Sequence, residues 1–359
     1  MKIGLTYDLR SEYLRAGYGE EETAEFDRED TVEALERSLL ELGHETERIG
    51  HARALVERLA RGDRWDLVFN IAEGLLGEAR ESQVPAILDV FGIPYTFSDP
   101  LVLAVCLRKD LAKLVVAKSG VATPAFEVVT SSGHRVSPSM SVPLFLKPVA
   151  EGTSKGIGPS SIVRTPGAIQ GVFADLLARF RQPVLVESFL EGREFTVGIV
   201  GTGERARVLG SLEVLLLETA EAGVYSYLNK KAFEGRVEYR LGRSDLDEEV
   251  RAAESVALAA WRALGCRDGG RVDVRSDGHG VPHFIEANPL AGLNPEISDL
   301  AIMARLLDVS YTSLIREILE SALTRIEHTG DARSVADSGV TRETPKGGHE
   351  VRRADRGPS

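Results

Sequence analysis

The chain has few cysteines, which limits the classes of protein to which it can belong. Its 359 residues include two cysteines, Cys106 and Cys266, which lie far apart with no paired spacing. That arrangement gives no indication of a disulfide framework or a cysteine-based zinc site. Cys106 lies in the apolar run LVLAVCL, which predicts a buried core thiol rather than a nucleophile.

Long apolar runs and an excess of positive charge are absent as well. No stretch approaches the ~20 apolar residues that a membrane-spanning helix needs. The opening MKIGLTYDLR lacks the apolar segment of a signal peptide. The formal net charge is −12, which argues against nucleic acid or an anionic membrane as a partner. We therefore expect a cytoplasmic protein with small-molecule partners and no membrane contact.

The composition is otherwise ordinary for a globular protein, 43% hydrophobic and 27% charged, and the length allows two or three domains. Within residues 1–100, apolar strands are predicted at 2–7, 66–72 and 92–98. Val32, Leu35, Leu39 and Leu42 repeat at helical spacing between the first two strands. This order predicts a small parallel α/β domain.

The pattern changes after residue 100 to one that favours α+β organisation. A helix is predicted at 108–120, an amphipathic helix at 247–265, and a hairpin that turns at SDGHG over 271–288. Further strands are predicted at 143–149, 183–190, 194–200 and 206–216. A last helix at 310–323 is followed, from about Thr329, by a polar stretch that predicts a disordered tail.

A glycine-rich loop follows a predicted strand in LKPVAEGTSKGIG, residues 146–158. Glycines let backbone N–H groups approach an anion closely, and the hydroxyls of Thr153 and Ser154 add donors. Such a loop suits a polyphosphate, with Lys147 as a point charge on it. A surface loop with a solvated lysine is an equally good interpretation of this motif alone.

Acidic side chains stand at the ends of two other strand pairs. Glu187 and Glu194 border the turn in VLVESFLEGREF; they suit ribose hydroxyls, although a plain hairpin with exposed acids has the same pattern. In RVDV and HFIEAN, hairpin pairing would bring Asp273 beside Glu286 and Asn288. Three oxygen ligands suit Mg²⁺, whereas a structural salt-bridge network is the competing interpretation.

Two further groups of residues extend these motifs. Arg271, next to the oxygen cluster, would suit an oxyanion formed at a phosphorylated carboxyl group. The segment VYSYLNKKAFEG, residues 224–235, concentrates tyrosines with Lys230 and Lys231. A lid over a charged nucleotide has this composition, as does an ordinary basic loop.

In their order along the chain, these motifs resemble those of the ATP-grasp superfamily, and specifically of D-alanine–D-alanine ligases. The resemblance rests on RKDLAK, KPVAEGTSKGIG, VESFLEGREFTVGI, RVDV and EANPLAG, and it covers about residues 1–325. It implies a Rossmann-like (pre-ATP-grasp) domain at 1–100 and a two-part ATP-grasp fold at 101–190 and 191–328. Residues 329–359 then form the tail, and the implied assembly is a homodimer.

The resemblance also implies a role for each matching residue. ATP would be bound by Lys109, Lys147, Thr153, Ser154, Glu187, Leu190, Glu194 and Lys230. Two Mg²⁺ ions, or Mn²⁺ in their place, would be held by Asp273, Glu286 and Asn288. The catalytic groups would be Arg271, the Gly292 backbone N–H, Lys230 and Ser154. The implied reaction joins two small amino acids through an acyl phosphate.

The chain departs from the family pattern where the two amino acids should bind. The acid that binds the first ammonium group falls in a longer N-terminal segment, where Asp27 and Glu29 are the candidates. Lys231 stands where these ligases usually have tyrosine. The second-substrate run appears as LAGLNPEIS, in which Gly292 is kept, Ser298 falls one place later, and Asn294 and Glu296 add polarity. The candidate substrate contacts are Asp27, Lys231, Asn294 and Ser298.

Two other functions remain open at this point. One is an ATP-grasp ligase for another amino acid, a peptide or a natural product. The other is a regulator that binds ATP without catalysis. The presence of Arg271 argues against the regulator, because a protein without catalysis has no need of a residue that stabilises an oxyanion.

Overall fold

The computed structural model describes residues 1–217 and 237–337. The described strands form three sheets. Three parallel strands lie in the order β2-β1-β3, four antiparallel strands in the order β4-β7-β5-β6, and five antiparallel strands in the order β10-β9-β8-β11-β12. Among the described residues, no helix combines the length and apolarity needed to cross a membrane.

The N-terminal sheet consists of β1 (Lys2–Thr6), β2 (Glu45–Gly50) and β3 (Leu67–Asn70). Its helices are α1 (Arg10–Arg15), α2 (Glu29–Glu41), α3 (Ala52–Ala60) and α4 (Gln83–Phe91). α2 buries the predicted stripe of Val32, Leu35 and Leu39. Gly43 follows the helix with φ +83°, a conformation that glycine adopts without strain.

One prediction for this region is wrong, and one strand was not predicted. The segment 92–98 is not a strand, and it touches the sheet by a single bridge between Val68 and Tyr95. The third strand is β2, whose sequence ETERIG is largely polar and only partly buried. Apolar periodicity could not identify an edge strand of this composition.

The central unit begins with α5 (Pro100–Leu107) and α6 (Lys109–Lys118). The Asp99 carboxylate accepts from the Val102 N–H and caps α5. The sheet contains β4 (Phe126–Val129), β5 (Leu144–Pro148), β6 (Ile162–Val163) and β7 (Val184–Ser188), with α7 (Ile169–Phe180) packed against it. This arrangement presents the carboxyl end of β5, and the glycine-rich loop behind it, to the C-terminal sheet.

The C-terminal sheet consists of β8 (Glu194–Val200), β9 (Arg207–Leu216), β10 (Val237–Leu241), β11 (Gly269–Ser276) and β12 (Pro282–Asn288). Its helices are α8 (Glu248–Leu264), α9 (Asp299–Leu306) and α10 (Tyr311–Asp337). The hairpin predicted over 271–288 is confirmed as β11 and β12. α10 continues to Asp337, past the boundary predicted at Thr329, and residues 338–359 lie outside the described part.

The hydrophobic cores do not follow the linear order of the chain. α10 packs its apolar face against α2 and the N-terminal sheet, so that Leu314 and Ile318 belong to the same core as Ile3 and Leu5. Cys106 and Cys266 are both buried, and their Sγ atoms lie 3.9 Å apart. Tertiary packing therefore brings together two thiols that sequence spacing did not relate.

Candidate active site

The hairpin of β11 and β12 brings the predicted catalytic and metal-binding side chains together. Asp273 lies opposite Glu286 in the strand register, and Arg271 lies opposite Asn288. Arg271 Nη1 donates to both Asp273 oxygens, at 2.6 and 2.5 Å, and its Nε lies 3.3 Å from Asp299 Oδ2. Burial opposes the charged form of Arg271, but the surrounding carboxylates outweigh it and raise its pKa above the usual value.

The oxygen donors of this hairpin fit a hard divalent cation. Asp273 and Glu286 are cross-strand partners, and Asn288 lies two residues along on the same face. The buried Asn288 Nδ2 has no hydrogen-bond partner in the described part of the chain. If the Asn288 amide is turned by about 180°, Oδ1 takes the place of Nδ2 and can serve as an oxygen ligand. Within residues 1–217 and 237–337, no group of three His, Cys, Asp or Glu side chains could hold a metal ion, so a cation at this hairpin would need the Asn288 amide as a third ligand.

A narrow cleft of about 90 Å³ lies between the central and C-terminal sheets. Its lining combines aromatic rings with charged side chains and includes Phe145, Lys147, Glu187, Phe189, Leu190, Glu194 and Arg275. Leu190 belongs to the crossing between β7 and β8, where the two sheets are joined. An aromatic wall beside charged groups at such a crossing suits a base and its ribose.

The floor of this cleft is a buried ionic group that the sequence only partly indicated. Glu187 lies between two lysines: its Oε2 is 2.8 Å from Lys147 Nζ, and its Oε1 pairs with Lys113. Lys113 also donates to Thr123 Oγ1 at 2.9 Å. All three charged side chains are buried.

The pKa values of the two lysines shift in opposite directions. Burial lowers the pKa of Lys113 to about 8, because desolvation outweighs the attraction of Glu187. Burial acts in the same direction on Lys147, but Glu187 and Glu286 together outweigh it and raise its pKa. Burial would raise the pKa of Glu187, yet the two lysines lower it overall. The ionised carboxylate therefore holds Lys147 charged at the floor of the cleft.

Glu194, the predicted ribose ligand, is held in the same cleft by a residue that the sequence did not single out. Arg275 Nη1 donates to Glu194 Oε2 at 2.8 Å. The Arg275 guanidinium also lies over the Phe189 ring, 5.0 Å from its centroid. Arg275 faces Glu194 across β11 and β8, so only the strand register could have revealed the pair.

The glycine-rich loop adopts a backbone conformation that few side chains tolerate. Thr153 and Ser154 have φ values of +47° and +55°, and Gly156 has φ +76°. Residues other than glycine are held in this left-handed region only where the surroundings enforce it, and such sites often bind ligands. Lys109 Nζ donates to the Glu151 carbonyl at 2.5 Å and lies 3.4 Å from Glu286. Lys109 thus connects the loop to the hairpin.

A second cavity, of about 480 Å³, extends from the loop and the hairpin to the N-terminal domain. It is lined by Thr153, Arg271, Glu286, Asn288 and Gly292, and also by four N-terminal acids: Glu25, Asp27, Glu73 and Glu81. Burial raises the pKa of three of these acids, and that of Glu73 lies well above its ordinary value. The pKa of Asp27 rises to about 8 and that of Glu81 to about 7.

Of the two acids proposed for the first substrate, only Asp27 lines this cavity. Glu29 is exposed and pairs with Arg48 at 2.5 Å. Glu25 is buried and already neutralised by Arg80 and Lys155. The sequence analysis missed Glu25, Glu73 and Glu81, because acids scattered over 57 positions carry no spacing signal until the chain folds.

The loop after β12 forms the far wall of the cavity. Gly292, Asn294 and Ser298 all line it, whereas Glu296 is exposed and pairs with Arg305 at 3.1 Å. Both the amide N and the amide O of Asn294 already hydrogen-bond to protein groups. Lys230 and Lys231, the predicted lid lysines, lie outside the described residues.

Comparison with known proteins agrees with this arrangement. The family described as the C-terminus of D-Ala–D-Ala ligases matches residues 115–320. The chain is 33% identical over 277 residues to a D-alanine–D-alanine ligase of Bordetella petrii, a match that covers 76% of this chain and 80% of the relative. It is 31% identical over 304 residues to an uncharacterised protein of Sinorhizobium fredii, covering 81% and 87%.

Solved structures show the same fold. The D-alanine–D-alanine ligase of Bacillus anthracis, crystallised with ATP, superposes with a TM-score of 0.69 at 20% identity and covers 92% of this chain and 99% of that one. The predicted fold class, an N-terminal α/β domain followed by a two-part ATP-grasp fold, is confirmed by this match. The family match and the Bordetella relative together establish that the chain belongs to the D-alanine–D-alanine ligase family of ATP-grasp enzymes.

Proposed function

We propose that this enzyme uses ATP to join the carboxylate of one small amino acid to the amine of another, through an acyl phosphate. The observation that carries the proposal is the position of Arg271. It lies on the hairpin of β11 and β12, beside the proposed metal ligands, and lines the larger cavity. A buried guanidinium there can stabilise the oxyanion that forms when an amine attacks an acyl phosphate.

The lining of the narrow cleft supports one direction for a bound nucleotide. We place the base at the side of the cleft that Phe145 and Leu190 line. The ribose then lies at Glu194, and the phosphates point toward Lys147 and the 151–158 loop. Lys109 and Lys147 supply the positive charge that phosphoryl transfer requires. Ribose hydroxyls replace Arg275 as the partners of Glu194.

Asp273, Glu286 and Asn288 would hold Mg²⁺, or Mn²⁺ in its place. When bound, the metal would neutralise charge on the transferring phosphoryl group. Arg271 donates to both Asp273 oxygens, so a bound metal and the guanidinium would share this carboxylate.

The amino acids occupy the larger cavity. The first amino acid's ammonium group pairs with Asp27, and binding lowers the pKa of that carboxyl from about 8, because a nearby cation favours the ionised form. The second amine attacks from the Gly292–Ser298 side. Its nitrogen forms the new bond while phosphate leaves with the acyl–oxygen bond electrons, and the amine proton passes to solvent. Lys230 and Ser154 remain the proposed catalytic and ATP-binding groups. Lys231 and Ser298 remain proposed substrate contacts.

The test is phosphate release from ATP across a panel of D- and L-amino acids, with product identified by mass spectrometry. Turnover with one amino-acid pair, lost on removal of divalent metal and in Arg271→Met, supports the proposal. An enzyme that binds ATP but releases no phosphate with any amino acid, dipeptide or hydroxy acid would instead be a nucleotide-binding regulator. Sedimentation of the same preparation tests the proposed homodimer.

A further inference from the structure

Besides apolar packing against the N-terminal core, the loop that carries Gly292 is hydrogen-bonded to the N-terminal domain through the buried side chain of Asn294. Asn294 is 4% exposed. Its Nδ2 donates to Asp30 Oδ1 and to Thr31 Oγ1, both at 2.9 Å. Asp30 and Thr31 form the first turn of α2, 263 positions and more from Asn294 in sequence. We call these three residues the latch.

The same side chain also fixes the shape of its own loop. Asn294 Oδ1 accepts from the N–H groups of Glu296 and Ile297, at 3.0 and 3.3 Å. The Asn294 N–H donates to Ser298 Oγ at 2.9 Å. A Cβ added at Gly292 would lie 3.0 Å from that Oγ, so Gly292 packs directly on the hydrogen-bonded turn. Movement of Asn294 therefore moves Gly292.

The other end of the latch is equally close to the amino-acid cavity. Asp27 lies two positions before α2 begins. Its backbone is held to the end of β1 through the Asp27 N–H, which donates to the Asp8 carbonyl at 3.0 Å, and through the Arg10 N–H, which donates to the Asp27 carbonyl at 2.9 Å. The first turn of α2 and Asp27 thus form one rigid piece on the N-terminal side of the cavity.

We infer that Asn294 is a positioning residue that sets the distance between the two amino-acid subsites by joining Gly292 to the Asp27 side of the cavity. This inference rests on the proposed function. An attacking amine and an acyl phosphate react only when held in a narrow range of geometries, and a displacement of about 1 Å can cost about 100-fold in rate. The latch spans the two walls that must hold those groups.

Loss of the latch hydrogen bonds has a consequence that general destabilisation of the fold would not have. The acyl phosphate still forms, because the nucleotide cleft and Lys147 do not touch the latch. The amine is then misplaced, and water attacks the acyl phosphate instead. This hydrolysis returns the free carboxylate and releases phosphate. The number of phosphates released per peptide bond formed rises above one, while the KM for ATP stays unchanged.

The experiment exchanges the two partners of the hydrogen bond. Asn294→Asp places a carboxylate against Asp30 and breaks the latch by repulsion, while its oxygens still accept from Glu296 and Ile297. Adding Asp30→Asn restores a donor–acceptor pair with the direction reversed. Glu33→Gln, an exposed acid on the same helix, is the matched control. Each variant is assayed for phosphate and peptide product with the amino-acid pair that the wild-type enzyme prefers.

We expect Asn294→Asp to lower kcat for peptide formation by about 100-fold and to release several phosphates per product. The double variant should recover to within a few-fold of wild type, with a ratio again near one. Asp30→Ala, at a side chain 45% exposed and therefore tolerated by the fold, should raise the ratio to an intermediate value.

Two results would overturn the inference: a ratio of one in both Asn294→Asp and Asp30→Ala, or a raised ratio that Asp30→Asn fails to correct. Wild-type enzyme that releases no phosphate with any amino-acid pair would overturn the proposed function itself, and the inference with it.

Discussion

Replacing Glu187 with glutamine tests the buried charge group under the nucleotide cleft. The carboxylate of Glu187 is shared by Lys113 and Lys147, and all three side chains are buried. Glutamine keeps the shape and removes the charge, so two lysines then face each other in a desolvated site. Removing one partner of a buried ion pair costs about 3–5 kcal/mol of stability, and we expect a loss in that range near pH 6.5.

The loss should shrink as the pH rises. In the wild-type protein, burial holds the pKa of Lys113 at about 8, below its ordinary value of 10.5. A lowered lysine pKa makes the folded state bind fewer protons than the unfolded state, so stability increases with pH above about 8. Without Glu187 the pKa of Lys113 falls further, so stability begins to increase at a lower pH. Between pH 6.5 and 8, each pH unit changes the free energy of unfolding by up to ~1.4 kcal/mol per proton. The variant should therefore regain about 2 kcal/mol of stability relative to wild type.

Urea unfolding, followed by the fluorescence of the buried Trp65 and Trp261, measures this at pH 6.5 and 8. Glu191→Gln, an exposed acid in the turn between β7 and β8, is the control and should change stability by less than about 0.5 kcal/mol. Adding Lys113→Met to Glu187→Gln removes one of the two unpaired charges and should recover much of the loss. A loss below about 1 kcal/mol, or one equal at both pH values, would refute this account of the site.

Four further predictions follow from the site. Arg271→Lys should lower kcat about 10²–10³-fold with an unchanged KM for ATP; a changed KM alone would contradict an oxyanion role. Asp273→Asn should raise the Mg²⁺ concentration for half-maximal turnover about tenfold or more, measured by metal titration. Gly156→Ala forces a Cβ to 2.7 Å from Pro148 Cγ at φ +76° and should cost about 1–3 kcal/mol, visible as a lower Tm. Burial raises the Asp27 pKa to about 8, so the stability that its protonated carboxyl contributes is lost as pH rises from about 4 to 8. Asp27→Asn should make the urea midpoint fall less steeply over this pH range, and an unchanged slope would argue against this account of Asp27.

The parts of the site that follow from local pattern were predictable. Strand alternation in RVDV and FIEAN, together with the SDGHG turn, gave the register that pairs Asp273 with Glu286. The helix that begins at Lys109 was predictable for the same reason, since its apolar spacing and its Gly120 end are both local. A period and a turn signal are enough when the interacting residues are neighbours on one hairpin or helix.

The parts that depend on packing between distant segments were not. Arg275 and Glu194 are 81 positions apart, and Asn294 and Asp30 are 264 apart. Asn294 was read as a possible substrate contact from its place in the loop, whereas its side chain is committed to the N-terminal domain. Likewise β2 was missed because an edge strand with one solvent-facing side has too few apolar residues to show a period.

The core shared by the two ends of the chain has a consequence for synthesis. Phe69 of the N-terminal sheet packs in the same cluster as Leu314, Ile318 and Ala322, and positions 69 and 322 are 253 residues apart. At about 5–20 residues per second on the ribosome, the first sheet waits about 12–50 s for the helix that covers its apolar face. During that time the nascent chain presents an unfinished core, so a chaperone that binds exposed apolar surface should engage the N-terminal segment while translation is still under way.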